Sequence, residues 1–296
     1  MSLFSLLGAL EIGLIFSLVA LGVFISFRLL RFPDLTVDGS FPLGGAVCAT
    51  LIASGTDPFS ATLIATVAGA AAGLVTGWLN VKLKIMDLLA SILMMIALYS
   101  INLRIMGKPN VPLITEPTVF TILQPAWISD YVARPLILIV IVILCKLALD
   151  WFFATQTGLA VRATGSNGRM ARAQGVNTGR MILGGMALSN ALVALAGALF
   201  AQTQGGSDIS MGIGTIVIGL AAVIVGESIL PSRKLVLATL AVIIGAIVYR
   251  FFIALALNSD FIGLKAQDLN LVTAVLVTIA LVIPMLKRRL VGKKGR

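Results

Sequence analysis

The sequence predicts an all-α polytopic membrane helix bundle of about nine transmembrane helices, within a range of eight to ten, and three observations carry this. Of 296 residues, 59% are apolar and only 11% charged, where soluble chains hold about half and about a quarter. The apolar residues gather into runs of about 20, the helical thickness of a bilayer. Histidine is absent, and the two cysteines, Cys48 and Cys145, fall inside apolar runs. The commonest general base, the commonest metal ligand and any disulfide framework are thereby missing. No catalytic residue and no metal site are expected, and no room is left for a soluble catalytic domain. Residues 1–296 read as a single transmembrane domain.

In order, the spans cover about 4–27, 39–56, 59–80, 85–106, 135–153, 181–203, 212–230, 235–257 and 269–286. Segment 39–56 is the weak element. It is short, follows Pro33 and contains Pro42, Gly44 and Gly45, so it reads as a broken or re-entrant helix, tolerated where protein or a water-filled cavity surrounds it. Without that crossing the count is eight. The first run has no basic region before it and lengthens into a full span, which argues against a cleavable signal.

The net charge of +10 is set against a membrane here, and no nucleic-acid partner is expected. Arg28, Arg31, Lys82, Lys84, Arg162, Arg169, Arg172, Arg180, Arg233, Lys234 and the basic tail 287–296 fall in one set of connections. Only Lys108, Arg134 and Lys265 fall in the other. The positive-inside rule makes the first set cytoplasmic, with the N-terminus outside and the C-terminus inside.

An internal echo accompanies the odd count. Leu18-Val-Ala-Leu21 returns as Leu192-Val-Ala-Leu195, and at the same offset Asp34-Leu-Thr36 meets Asp208-Ile-Ser210 and Gly45 meets Gly219. This is either an inverted repeat, as carriers often have, or chance among apolar segments. Gly69, Gly73 and Gly77 form a close-packing face on the third span, for a neighbouring helix of the same chain or for a second copy. Within spans, Glu11, Lys146, Asn190, Glu227 and Arg250 are costly in hydrocarbon and are expected to face protein or water. Lys146 and Asp150 are spaced to pair on one helix face.

The connection 155–180 is the most informative stretch. Asn167 is placed to cap a helix and Gly175 to end it in the left-handed conformation. The two turns between them are too short to be stable alone. Met170, Ala171, Ala173 and Gln174 suit insertion into a groove of another protein, while Arg162, Arg169, Arg172 and Arg180 could touch acidic lipid headgroups instead.

Gly158-Leu-Ala-Val-Arg-Ala-Thr-Gly-Ser-Asn167, followed by Met170-Ala-Arg-Ala-Gln-Gly-Val-Asn177, resembles the coupling loop of ABC importer permeases for branched-chain amino acids and ribose. Ala187 to Leu199 is similar to the small-residue span that follows that loop, and Met211 to Glu227 fits the same pattern. Phe32 to Gly45 looks like a narrower branch linked to tryptophan and tyrosine uptake. The resemblance covers nearly the whole chain. It implies a permease rather than an enzyme, in a bacterial plasma (inner) membrane, usually as a pair of such chains. Two ATPase subunits and an external substrate-binding protein would complete the transporter. It carries no cofactor of its own, since ATP and Mg would sit on the ATPase, and no phosphate-binding loop occurs in this sequence. By the same resemblance Arg162, Gly165, Asn167, Met170, Ala171, Gln174 and Gly175 would couple to the ATPase.

The pathway candidates are Asp34, Asp38, Asn190 and Glu227, for a small organic solute, an aromatic or hydrophobic amino acid first. Asp34, Asp38 and Asp208 also sit where a carboxylate caps a helix. The rival class is an ion-coupled secondary transporter with Glu11, Glu227 and Asp87 as ion sites.

Overall fold

A computed structural model describes residues 3–124, 129–232 and 234–257, together with positions 275 and 278. The ninth expected span, 269–286, and the basic tail lie outside the described residues. Eleven α-helices run in the order α1 (Leu3–Val23), α2 (Val37–Ala53), α3 (Pro58–Val81), α4 (Asp87–Met106), α5 (Val119–Leu123), α6 (Asp130–Ala154), α7 (Gln156–Ser166), α8 (Gly168–Ala173), α9 (Thr178–Gln204), α10 (Thr215–Ile229) and α11 (Leu235–Leu257). A π-helical turn, Phe24–Leu29, prolongs α1. Two three-residue strands, β1 (Asn110–Pro112) and β2 (Gly206–Asp208), pair antiparallel with Val111 opposite Ser207. This ribbon is an addition to the expected all-helical fold.

Among the described residues seven helical segments are long and apolar enough to cross a membrane, and α2 is a shorter apolar helix. The expected count of about nine is therefore not reached on these residues. In the α1 span 78% of the apolar window is buried, against 22% in α6. So α1 and α9 form the centre, while α4 and α6 are lipid-facing flanks.

Segment 39–56 is the second half of a return across the bundle that begins at residue 31. Phe16 lies near Phe200, Gly22 near Ser189 and Leu30 near Gly185, so α1 runs antiparallel to α9. Thr62 lies by Gln202, Gly73 by Met186 and Gly77 by Leu183, so α3 also runs antiparallel to α9. The chain between two helices of the same direction must return across the bundle. It does so as residues 31–36 without helix, then α2. Arg31 begins this stretch in the left-handed region, φ 57°, and Pro33 disfavours a helical conformation at Phe32.

Backbone contact rather than side-chain bulk holds the centre. A Cβ on Gly44 would stand 1.9 Å from the Ala194 carbonyl oxygen, and one on Gly197 would stand 1.9 Å from that of Phe41. The stripe Gly69, Gly73 and Gly77 packs against α9 of the same chain, with Gly73 in the same position against the Met186 carbonyl at 2.2 Å. The phenyl rings of Phe16, Phe41 and Phe200 then close α1, α2 and α9 around one another at centroid distances of 5.4 to 6.2 Å.

The internal echo has a structural counterpart. Asp34 accepts the Thr36 N–H at 2.9 Å, and Asp208 accepts the Ser210 N–H at 2.8 Å. Each of these turns leads into a helix that begins well inside the bundle, α2 from one end and α10 from the other. Gly44 meets α9 in the first copy. In the second, Gly219 of α10 meets α1, where a Cβ would stand 2.7 Å from the Val23 side chain.

Gly197→Val should lower the thermal midpoint in detergent by about 2–12 °C, through overpacking worth roughly 1–3 kcal/mol. Gly184→Ala, whose Cβ meets nothing within 4 Å, should leave the midpoint unchanged or raise it. Size-exclusion profiles after a temperature ramp check both.

Candidate functional site

The two ends of the bundle differ in charge, as the sequence suggests. Arg28, Arg31, Lys82, Lys84, Arg162, Arg169, Arg172 and Arg180 gather at the end carrying α7 and α8, while Lys108 lies at the ribbon end. At the basic end the stretch 155–180 is two helices, and α9 already starts within it at Thr178. The Thr155 side chain caps α7, and Asn167 Oδ1 caps α8 by accepting the Met170 N–H at 3.1 Å. Gly175 ends α8 at φ 83°. The Val176 N–H returns to Ala171 O and the Gly175 N–H to Arg172 O, both at 3.0 Å, the double bond pattern of a left-handed helix stop. Helix α8 is thus bonded at both ends despite its length.

The residues expected to couple divide by position. Ala171 is buried within the chain, and Gly165 lies so close to α1 that a Cβ would stand 1.8 Å from Leu29 O. Asn167 and Gly175 are exposed but serve the helix ends. Met170, 62% exposed, and Gln174 face outward. Arg162 lines a cleft with Arg28 and Arg31.

The pathway candidates divide as well. Asp34, Ser40 and Asn190 are fully buried and bonded to one another. Asn190 Nδ2 donates to Asp34 Oδ2 at 2.8 Å and to Met186 O at 3.1 Å, and Ser40 donates to Asn190 Oδ1 at 2.7 Å. The hydroxyls of Thr36 and Thr76 meet at 2.9 Å beside this cluster. Asp38 reaches the other broken helix, accepting the Gly214 N–H at 3.3 Å and the Ile216 N–H at 2.7 Å. It sets one carboxylate between the inner ends of α2 and α10, where both helix dipoles are positive. Glu227 stands apart. It accepts from Arg28 Nε at 2.6 Å at the basic end, with side chains 36% and 59% exposed.

Other polar residues in spans make structural bonds. Lys146 and Asp150 pair on α6, and Thr239 of α11 donates to Asp150 at 2.8 Å. Asp87 accepts from Asn80 at 2.5 Å. Among the described residues no group of three His, Cys, Asp or Glu side chains could hold a metal. At the ribbon end the Ser210 hydroxyl and N–H hold the Asp208 carboxyl below the usual carboxylate range. That turn stays ionised at neutral pH, and its contribution is lost only as acid protonates the carboxylate.

Sequence reasoning passed over Gln202 and Asn102. Gln202 accepts the Val119 N–H at 2.9 Å and donates to Thr62 at 2.9 Å, tying α5 and α3 to α9. Asn102, completely buried in α4, donates to Gly39 O at 3.1 Å. It borders a cavity of about 500 Å³ between α2, α4 and the turn Ile209–Gly212. An amide within an apolar helix was the available signal in both.

Three comparisons bear on this arrangement. The family described as branched-chain amino acid transport system, permease component, matches residues 5–285. A tyrosine transport system permease protein of Clostridioides difficile is 40% identical over 265 residues, 90% of this chain and 86% of that protein. An uncharacterised protein of Rickettsia prowazekii is 33% identical, covering 93% and 96%. A galactofuranose transporter permease protein of Escherichia coli is 27% identical, covering 84% and 71%. No solved structure matches.

Asn190→Leu should take from buried Asp34 one of its hydrogen-bond donors and leave Ser40 without its acceptor, costing about 1–3 kcal/mol or more. Arg28→Gln, at an exposed pair, should cost less than about 1 kcal/mol. Thermal midpoints of the two purified variants give the comparison.

Proposed function

The chain belongs to the family of branched-chain amino acid transport permease components, and from that premise we propose that it is the membrane subunit of an ATP-binding-cassette importer for a neutral amino acid, aromatic or hydrophobic. Cargo would arrive from an external substrate-binding protein, and ATP with Mg would act on separate ATPase subunits. Two copies of the chain would form the transporter in a bacterial inner membrane. The basic end would face the cytoplasm by the positive-inside rule, with the N-terminus outside. The name of the tyrosine permease relative supports the cargo class.

The observation that carries the reading is the construction of α7–α8. A six-residue helix is capped at both ends and offers Met170 and Gln174 outward. Its platform is seated on α1 through Gly165. An exposed miniature helix fixed to the central helix is a lever. A partner that grips α8 and moves it would shift the basic end of α1. Residues 31–36 join that end to the buried Asp34–Asn190 cluster, so the displacement reaches the middle of the bundle as alternating access requires. Of the acidic sites of the ion-coupled alternative, Glu227 is paired with Arg28 and Asp87 with Asn80, while Glu11 lines a cavity together with Arg134.

Purification of the tagged chain from its native membrane in mild detergent should recover an ATPase subunit in equal amount. Met170→Glu should fold normally yet lose most of that ATPase and lower ATP-driven uptake by about tenfold or more. Recovery of the chain alone, with uptake driven by an ion gradient, would overturn the proposal. In a cysteine-free background, a cysteine at 110 should react with an impermeant thiol reagent from outside and one at 167 should not. The reverse would invert the topology.

A further inference from the structure

The cleft lined by Arg28, Arg31 and Arg162 lies where the end of α1 meets α7. Its volume is about 400 Å³. One wall is the π-helical turn with the residues that follow it. The other is a face of α7 carrying Leu159, Arg162 and Ser166, whose spacing of three and four residues puts them on one side of a helix. Gly165, close against Leu29 O, fixes the two walls at backbone distance. The three arginines are therefore brought together by the fold.

Their charge is not balanced within the chain. Glu227 takes the Nε–H of Arg28, which leaves the rest of that planar fork for another acceptor. Arg31 and Arg162 have no hydrogen bond or ion pair among the described residues. Arg31 also holds φ 57°, a conformation that is costly for any residue with a side chain. Gathered like charges and a left-handed arginine are two penalties at one place, and no acceptor among the described residues offsets them. Ser166 adds a hydroxyl that can donate as well. Guanidinium forks match the paired oxygens of a phosphate.

The surroundings point to an amphipathic anion. Leu159, in the cleft wall, and Phe27, beside Arg28, are both exposed. At the same end of the bundle, exposed Trp78 and Trp151 stand in the last turns of α3 and α6, the level at which tryptophan meets lipid headgroups. A soluble anion would leave Phe27 and Leu159 uncovered, whereas a lipid sets its phosphate among the arginines and its hydrocarbon along those two side chains. Basic clefts between helices on the cytoplasmic side of a membrane are suited to acidic headgroups.

We propose that this cleft binds the phosphate of an anionic phospholipid between Arg31 at the end of α1 and Arg162 on α7, with Arg28 and Ser166 as further donors. Without the lipid the like charges push the two walls apart. With it they are drawn together, so the lipid fastens the end of α1 to the helix that carries α8. In an importer this makes the grip of the lever on α1 depend on the acidic lipid of the membrane. The site itself does not require the importer reading.

Native mass spectrometry of the full-length chain, delipidated in mild detergent, tests this, because each bound molecule is resolved by its mass. The probes are phosphatidylglycerol, zwitterionic phosphatidylcholine and inorganic phosphate. The first phosphatidylglycerol should bind tighter than phosphatidylcholine by about tenfold or more, equivalent to about 1.4 kcal/mol, and added salt should weaken it. Arg31→Asn combined with Arg162→Gln should lower that first affinity by about tenfold, since each cation near the surface contributes to holding an acidic lipid. The lipid-free thermal midpoint of this variant should hold or rise, because asparagine tolerates the left-handed conformation. Arg162→Gln alone, which leaves residue 31 untouched, should show about a threefold loss. Lys82→Gln removes an exposed cation of the same end outside the cleft and should stay within about twofold of wild type. Equal binding of the two lipids, or wild-type first affinity in either arginine variant, would overturn the site. Displacement of phosphatidylglycerol by millimolar inorganic phosphate would make the occupant a soluble anion and overturn the lipid. A double variant that keeps the lipid and instead loses the ATPase subunit would give the cleft to the protein partner, which overturns the lipid too. Binding is read on the permease alone, so its failure leaves the importer reading to its own test.

Discussion

Everything at the centre of this bundle depends on keeping a stretch of non-helical backbone wet with hydrogen bonds where no water is expected. Residues 31–36 enter the bundle without helical pairing, and in hydrocarbon each unsatisfied N–H or C=O costs several kcal/mol. The Phe32 N–H reaches Ser26 O, the Ser91 hydroxyl reaches Pro33 O and the Thr36 N–H reaches Asp34, and Asn190, at the middle of α9, holds Asp34 in place. One amide group binds Asp34, Ser40 and the Met186 carbonyl, and Asp34 in turn binds the Thr36 N–H. Residues on α9 and α2 are thus joined to the break between α1 and α2 through one side chain. Burial does not weaken the argument, because a fully satisfied polar cluster in a low dielectric specifies one packing, while a partly satisfied one is penalised.

This hub would be unreachable without the glycines around it. Asn190 can span from α9 to the broken segment because Gly69, Gly73 and Gly44 bring α3 and α2 to backbone distance. Lipid tails are as apolar as leucine, so helix association here cannot draw on burying apolar surface from water. Close backbone approach and hydrogen bonds take that place. The exposed leucines and isoleucines of α4 and α6 belong to the opposite regime, where side chains meet lipid and no fit is needed.

The parts of this fold legible in the sequence are those with a local signature. Apolar run length located the long helices to within a few residues, and Asn167 and Gly175 marked the ends of α8 because caps act within one turn. The spacing of Lys146 and Asp150 likewise foretold their pair. What escaped depends on distant partners. Whether 39–56 is part of a crossing follows from the directions of α1 and α3, which no window over that segment contains. The bond of Glu227 to Arg28 joins residues 199 positions apart. The burial of Ala171 depends on how α8 sits against the rest of the chain. Asn102 gave a signal no stronger than any other amide in an apolar helix, and only the unpaired oxygen beside a cavity separates it from Gln202, whose amide is fully used.

Two rare backbone states flank the point where the platform meets the end of α1, and their position has a mechanical consequence. The π-helical turn at Phe24–Leu29 and the left-handed Arg31 fall within eight consecutive residues. The π-helical turn ends at Gly165's contact, Leu29, and Arg31 lies between that contact and the bond at Asp34. Turns of this kind are costly to keep and cluster where a chain has to rearrange. A regular α-helix continued to Asp34 would transmit displacement of the platform as rigid translation of the whole of α1, which the glycine contacts at Gly22 and Gly13 oppose. A helix that loosens just inside the membrane surface lets the basic end shift while the buried half stays seated. Motion of α8 can then be passed to the 31–36 connection, and from there to α2, without unpacking the core. Family membership accounts for the presence of a coupling loop; the irregular turn beneath it accounts for how that loop could act on this particular bundle.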